Sequence, residues 1–229
     1  MKKVIFLFAS AIALISCEKN VEFNNPAFQA QINGSLWKSS TMSATKSATG
    51  QVVLKGVSAT GNLQINLNSS ALGARTLGTI NTSNFVSYSF ANDTANFDYT
   101  TGITFAPVNN ISLFSGGTGY TTSSLVATTG GSGLGLKVDI VANASGVITS
   151  VLVNSPGTNY RAGDLVNIVG LNSNASIIIQ NVTKSNGEVT ITEYDGATIS
   201  GNFKFTAFDA GNNQTAACRD GVFYKVPVN

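Results

Sequence analysis

The 229-residue chain carries 13 Lys and Arg, 11 Asp and Glu, and no His. Without an imidazole, a Ser-His-Asp set, a Cys-His pair and His-liganded zinc are all excluded. Lys2 and Lys3 belong to a leading segment, and beyond residue 16 cations and acids number 11 each, so the charge points to no nucleic-acid partner.

Met1-Lys2-Lys3 is followed by an apolar run from Val4 to Ile15, interrupted by Ser10. At about 12 residues the run is too short to stay in a bilayer as a spanning helix, and it reads as the apolar region of a signal peptide. It ends in Leu14-Ile15-Ser16-Cys17, which resembles the lipobox of bacterial lipoproteins. The resemblance implies a signal helix over residues 1–16, cleavage before Cys17, and lipid on the Cys17 thiol and amine. Several acyl chains, at about 0.8 kcal/mol per buried CH₂, make a durable anchor. The membrane is then the first expected partner. The expected location is the cell envelope, as an outer-membrane lipoprotein facing either the periplasm or the outside. Residues 17–27 read as the lipidated Cys and a polar, Asn-rich tether.

From Phe28 onward the pattern has period 2. Phe28, Ala30 and Ile32 alternate with Gln29 and Gln31, and Asn33-Gly34 then supplies a two-residue hairpin turn. Similar runs cover Val52-Leu54, Leu63-Ile65-Leu67, Phe85 to Phe90 and Phe97-Tyr99. Later ones cover Val189-Ile191, Phe203-Phe205-Ala207 and Val222 to Val226. Short strands at this spacing suggest a sandwich or barrel. Between Phe90 and Phe97, Asp93-Thr94-Ala95 resembles the Asp-Ser/Thr-aliphatic sequon of O-glycosylation in Bacteroidota, which makes Thr94 a candidate acceptor.

Residues 103–186 differ, being rich in Gly, Ser, Asn and Val, and they hold an internal repeat. Ser115-Gly116-Gly117-Thr118-Gly119-Tyr120 is echoed by Ser155-Pro156-Gly157-Thr158-Asn159-Tyr160, at an offset of 40 residues. Leu125-Val126 against Leu165-Val166 keeps the same offset. Each unit reads as a strand, a tight turn, a Tyr and another strand. Two units suffice for a small paired β module. The sequences on either side, Asp98 to Gly102 and Gly187 to Thr192, would join into one meander, so the module reads as an insertion at a hairpin tip.

The flanking halves resemble an uncharacterised domain family in Bacteroidota lipoproteins, on Phe28-x-Ala30-x-Ile32-x-Gly34-x-x-Trp37, Gly187-x-Val189-x-Ile191-Thr192, Ile199-Ser200-Gly201-x-Phe203-x-Phe205-x-Ala207 and Asp220-Gly221-x-Phe223. That resemblance implies a structural domain with no known activity. The insert is similar to the Gly-Gly-x-Gly-Tyr repeats of phage tail and bacterial surface proteins, which implies a projecting structural or adhesive role.

The expected fold is therefore all-β. An antiparallel β-sandwich (residues 28–102 with 187–229) is interrupted by an inserted small β module (residues 103–186), behind a signal helix. Tyr120 and Tyr160 stand at the repeat turns, where they could face a ligand or shield their own turns. Trp37 reads as core. Glu188, Glu193 and Asp195 form the densest acidic group, and Asp209-Ala210-Gly211-Asn212-Asn213 has oxygen atoms suited to calcium. Both read more simply as turn and edge residues, so no metal and no cofactor are expected. Once Cys17 is lipidated, Cys218 has no internal disulfide partner and reads as a small buried residue. The expected role is a lipid-anchored, non-enzymatic envelope protein, binding or surface-structural, with a glycan or an envelope protein as partner. The alternative is a secreted carboxylate-dependent hydrolase acting on glycans.

Overall fold

Alternating side chains fix the strands here, because a sheet hides one face and wets the other. A computed structural model describes residues 27–170, 172 and 174–229, and among these it contains strands and turns but no helix. The signal helix and Cys17 lie outside the described residues. The all-β, antiparallel class is as expected.

One sheet takes strands from both ends of the chain. It contains β1 (Ala27–Ile32), β2 (Ser35–Lys38), β3 (Thr41–Lys46), β4 (Val52–Ser58), β5 (Gly61–Leu67) and β6 (Gly73–Leu77). Next come β7 (Phe85–Ala91) and β8 (Asn96–Thr100), and after a long gap β15 (Asn186–Tyr194), β16 (Thr198–Asp209) and β17 (Gln214–Pro227). The order is β2-β1-β17-β16-β8-β7-β5-β4-β3, with β15 and β6 branching from β16. Asn33 (φ 49°) and Gly34 (φ 80°) close the β1–β2 hairpin with two left-handed residues, as a type I′ turn requires.

This sheet rolls back on itself. Ala44 of β3 bridges Val228, and the Asn229 N–H donates to the Ala44 carbonyl at 2.9 Å. The concave side holds the core. Phe28 meets Trp37, Phe203 and Phe223 edge-on, with centroids 5.3, 5.7 and 6.4 Å away. Gly56 on β4 faces this cluster from the other layer. A Cβ there would lie 2.7 Å from Trp37 Cη2 and 2.8 Å from Phe28 Cδ1. The result is sandwich-like, and Trp37 is core, with its Nε1–H donating to the Gly61 carbonyl at 2.9 Å. Cys218 is buried in the same cluster, and desolvation pushes its thiol pKa up to about 12. Iodoacetamide at mildly alkaline pH should therefore leave Cys218 unmodified in the native protein and react on unfolding. Rapid native alkylation would contradict that burial.

The second sheet contains β9 (Val108–Ser115), β10 (Ser123–Gly130), β11 (Leu134–Ala142), β12 (Ile148–Thr158), β13 (Leu165–Ile168) and β14 (Ala175–Val182). Its order is β12-β11-β10-β13-β14-β9. The two ends meet: Ile148 N–H donates to the Gly116 carbonyl at 2.9 Å and Tyr120 N–H to the Gly146 carbonyl at 3.0 Å. We refer to this closed element as the barrel. Shifting β9, β10 and β11 by the 40-residue offset superposes them on β12, β13 and β14, so the strand order reads the same in both directions. The centre of this symmetry is the β10–β13 pair, where Thr128 stands opposite Ile168, its own counterpart one repeat later.

The barrel connects to the large sheet at one pole. Thr100, the last residue of β8, pairs with Phe208, and Asn186, the first of β15, pairs with Thr206. The chain comes in at the other pole, where Ala27 pairs with Tyr224 beside Gly201. About six residues of β16 separate the two positions, or ~20 Å at the usual strand rise.

Candidate functional site

Tyr120 and Tyr160 do not face a ligand; both are buried, which corrects the ligand-facing reading. The physical reason lies in the turns. Gly117 (φ 56°) and Gly157 (φ 60°) occupy equivalent left-handed positions, and each ring covers bare backbone. Tyr120 lies on Gly170 of the second repeat, where a Cβ would come within 2.4 Å of its ring. Tyr160 lies on Gly133 of the first repeat at the same 2.4 Å. The Tyr120 hydroxyl also donates to the Ile168 carbonyl at 3.0 Å and accepts from Ala175 N–H at 3.1 Å. The tyrosines therefore cross-brace the two halves of the barrel.

The barrel exposes other residues instead. Leu125 is exposed and sits at φ 57°. That region costs an L-residue about 1–2 kcal/mol, so something must hold it. The Leu125 N–H donates to Asp139 Oδ1 at 2.9 Å, and Asn154 Nδ2 grips the same carboxylate at 2.9 and 3.0 Å. The Asn154 amide, then the Leu125 N–H, hold the Asp139 carboxyl below the usual carboxylate range. Leu152 stands directly opposite Asp139 and is exposed. Three neighbouring strands thus display Leu125 and Leu152 around a fixed carboxylate–amide clamp. No feature of the sequence signals it, because nothing in a Leu-Val pair announces a left-handed leucine.

The acidic residues serve turns and register. Asp195 accepts from Ala197 N–H at 2.9 Å and Thr198 N–H at 2.6 Å. Glu188 stands opposite Lys204. Asp195 precedes β16 and Asp209 is its last residue, about 36 Å apart along a twelve-residue strand, whereas a glycosidase pair needs about 5–10 Å. Asp209 accepts from Gly211 N–H, Asn212 Nδ2 and Asp98 N–H at 2.8, 2.8 and 3.0 Å, so its oxygens close a hairpin rather than await a cation. No group of three His, Cys, Asp or Glu among the described residues could hold a metal.

The Asn212 amide, followed by backbone N–H groups, holds the Asp209 carboxyl below its ordinary value of 3.8. The resulting stabilisation is present above that ordinary value and is lost as pH falls through the lower folded-state one. Asp209→Asn should accordingly lower the melting temperature at neutral pH, with the difference closing in strong acid. An equal deficit at both pH values would contradict the assignment. Asp209 also borders an open recess of about 370 Å³ with Asp98, Thr100, Ile103 and Phe208. Reading the chain in one dimension missed Asp98, since only the strand register brings it to Asp209. Thr94 is exposed at the β7–β8 tip, where its hydroxyl donates to Asn92 Oδ1 at 2.7 Å.

The model of a protein family described as a domain of unknown function (DUF6252) matches residues 24–116 and 115–227. The two matches meet inside β9 and its following turn. No curated protein matches the chain. No solved structure matches it either.

Proposed function

The chain belongs to this family of unknown function (DUF6252), and from that premise we propose that it is a lipoprotein of the bacterial cell envelope, of the kind its flanking motifs resemble in Bacteroidota. Cys17 carries the anchor, and the barrel presents a recognition face on the side away from the membrane. One observation carries this reading: the chain comes in beside Tyr224 and Gly201, while the barrel leaves from Thr100 and Asn186 at the opposite pole. A tether at the first pole holds the barrel outermost. The clamp that fixes Leu125 supports a binding role, since a strained exposed leucine gives the fold itself no burial.

Two measurements test the reading. The wild-type protein should partition into the detergent phase on Triton X-114 separation, and Cys17→Ser should move it to the aqueous phase. In proteoliposomes containing a headgroup quencher, a dye on Ala197→Cys should be quenched more than one on Leu152→Cys. Equal partitioning would remove the anchor, and the reverse quenching order would remove the orientation.

A further inference from the structure

The outward positions of β4, β5, β7 and β8 form rows that only the register reveals. Lys55, Gln64, Ser87 and Thr100 stand opposite one another in sequence across the four strands, and Thr100 continues to Phe208 of β16. The next row is Val57, Asn62, Ser89 and Asp98. The rows run past three recesses that together make a trough across the sheet. A recess of about 250 Å³ and another of about 480 Å³ share Asn62 and Ser89. The recess of about 370 Å³ begins at Asp98 and Thr100, the register partners of Ser89 and Ser87. Across five strands at about 4.8 Å spacing, the trough runs ~19 Å.

We infer that this trough binds a neutral glycan chain. The four strands are each paired on both sides, so their backbone groups are spent and a peptide has no edge to join. Only side chains can bind there. Those in the two rows are amides and hydroxyls beside Val57, one cation, Lys55, and one carboxylate, Asp98. The adjoining recess adds the Asp209 carboxylate and Lys184 stands over the Phe208 ring, so opposite charges balance and the face favours neither a polyanion nor a polycation. The side chains of Asn62, Ser87 and Ser89 make no hydrogen bond within the described chain, which leaves a grid of donors and acceptors for a polymer of hydroxyls. Val57, 47 % exposed at one end, gives an apolar platform for the C–H faces of sugar rings, and the partly exposed Phe208 ring, with Lys184 Nζ 4.4 Å from its centroid, closes the other end. The inference concerns the large sheet and stands apart from the role of the barrel.

Native affinity electrophoresis of the full chain in detergent tests it. The gels hold mannan, amylopectin or a mixed-linkage β-glucan, with polygalacturonate and dextran sulfate as anionic comparators. At least one neutral polysaccharide should retard the protein. The double variant Asn62→Ala/Gln64→Ala, both at outward positions, should weaken that retardation by about tenfold, lowering the melting temperature only slightly through the lost Gln64 Nε2–Asn66 Oδ1 hydrogen bond. Ser87→Trp should abolish it by filling the middle of the trough, and Leu125→Asp on the barrel should leave it intact. Retardation by no neutral polysaccharide, stronger retardation by the anionic ones, unchanged retardation in the Asn62/Gln64 variant, or loss in the Leu125 variant would each overturn the inference.

Discussion

Phe28→Ala should lower the unfolding free energy of the large sheet by about 3–5 kcal/mol, a large share of what such a domain possesses. Phe28 is fully buried and is the residue on which both layers meet. Its ring touches Trp37, Phe203 and Phe223 in its own layer, and Gly56 of β4 comes up against it from the other. Removing the ring leaves a hole that the neighbours cannot fill, because Phe203 and Phe223 are themselves held 6.3 Å apart, centroid to centroid, on paired strands. The measurement is direct, since Trp37 is the one Trp in the chain and lies beside the deleted ring. Urea unfolding followed by its fluorescence should show a lower midpoint with a similar slope. A loss below about 1 kcal/mol would mean that Phe28 is not the keystone of the two layers.

Tyr160→Ala should cost the barrel a similar ~3–5 kcal/mol and open it while the large sheet stays folded. Tyr160 is buried, and its ring occupies the space over Gly131, Gly133 and Gly157 where other residues would carry a Cβ. Its backbone pairs both ways with Ala106, at 2.9 and 3.0 Å, where the chain passes into the barrel. The two apolar cores share no residue, which is why damage to one need not melt the other. Hydrogen exchange should show protection lost across β9 to β14, with the Trp37 fluorescence transition little moved. A single transition in which both fail together would contradict the independence of the cores.

Much of the fold was legible because its cause is local. Leu63-Ile65-Leu67 and Phe203-Phe205-Ala207 alternate because one face of each strand is the more buried, Phe28-Ala30-Ile32 alternates although Gln29 between them is buried too, and Asn33-Gly34 can be read as a turn because both residues tolerate positive φ. The 40-residue repeat was likewise visible in the letters. What could not be read was anything set by register. A tyrosine beside a glycine turn looks the same whether it covers that turn or faces solvent, and here each ring covers the glycine of its own turn and reaches a further one in the other repeat. The Leu125 clamp and the Asn62–Gln64 trough gather residues from separate strands, so their partners appear only after the sheet is assembled.

The palindromic strand order means that neither half of the barrel is complete alone. Cut at the Asn143–Gly146 turn, each fragment would expose a raw β10- or β13-type edge and a bare glycine bend with no ring over it. Two such fragments hold what the other lacks, so they would be driven to combine as a symmetric pair. The covalent link between them fixes a stoichiometry of one to one and spares the molecule any dependence on its own concentration. It also frees the halves to diverge: Leu125 could acquire its clamp while Leu165, its twin, stayed an ordinary strand residue.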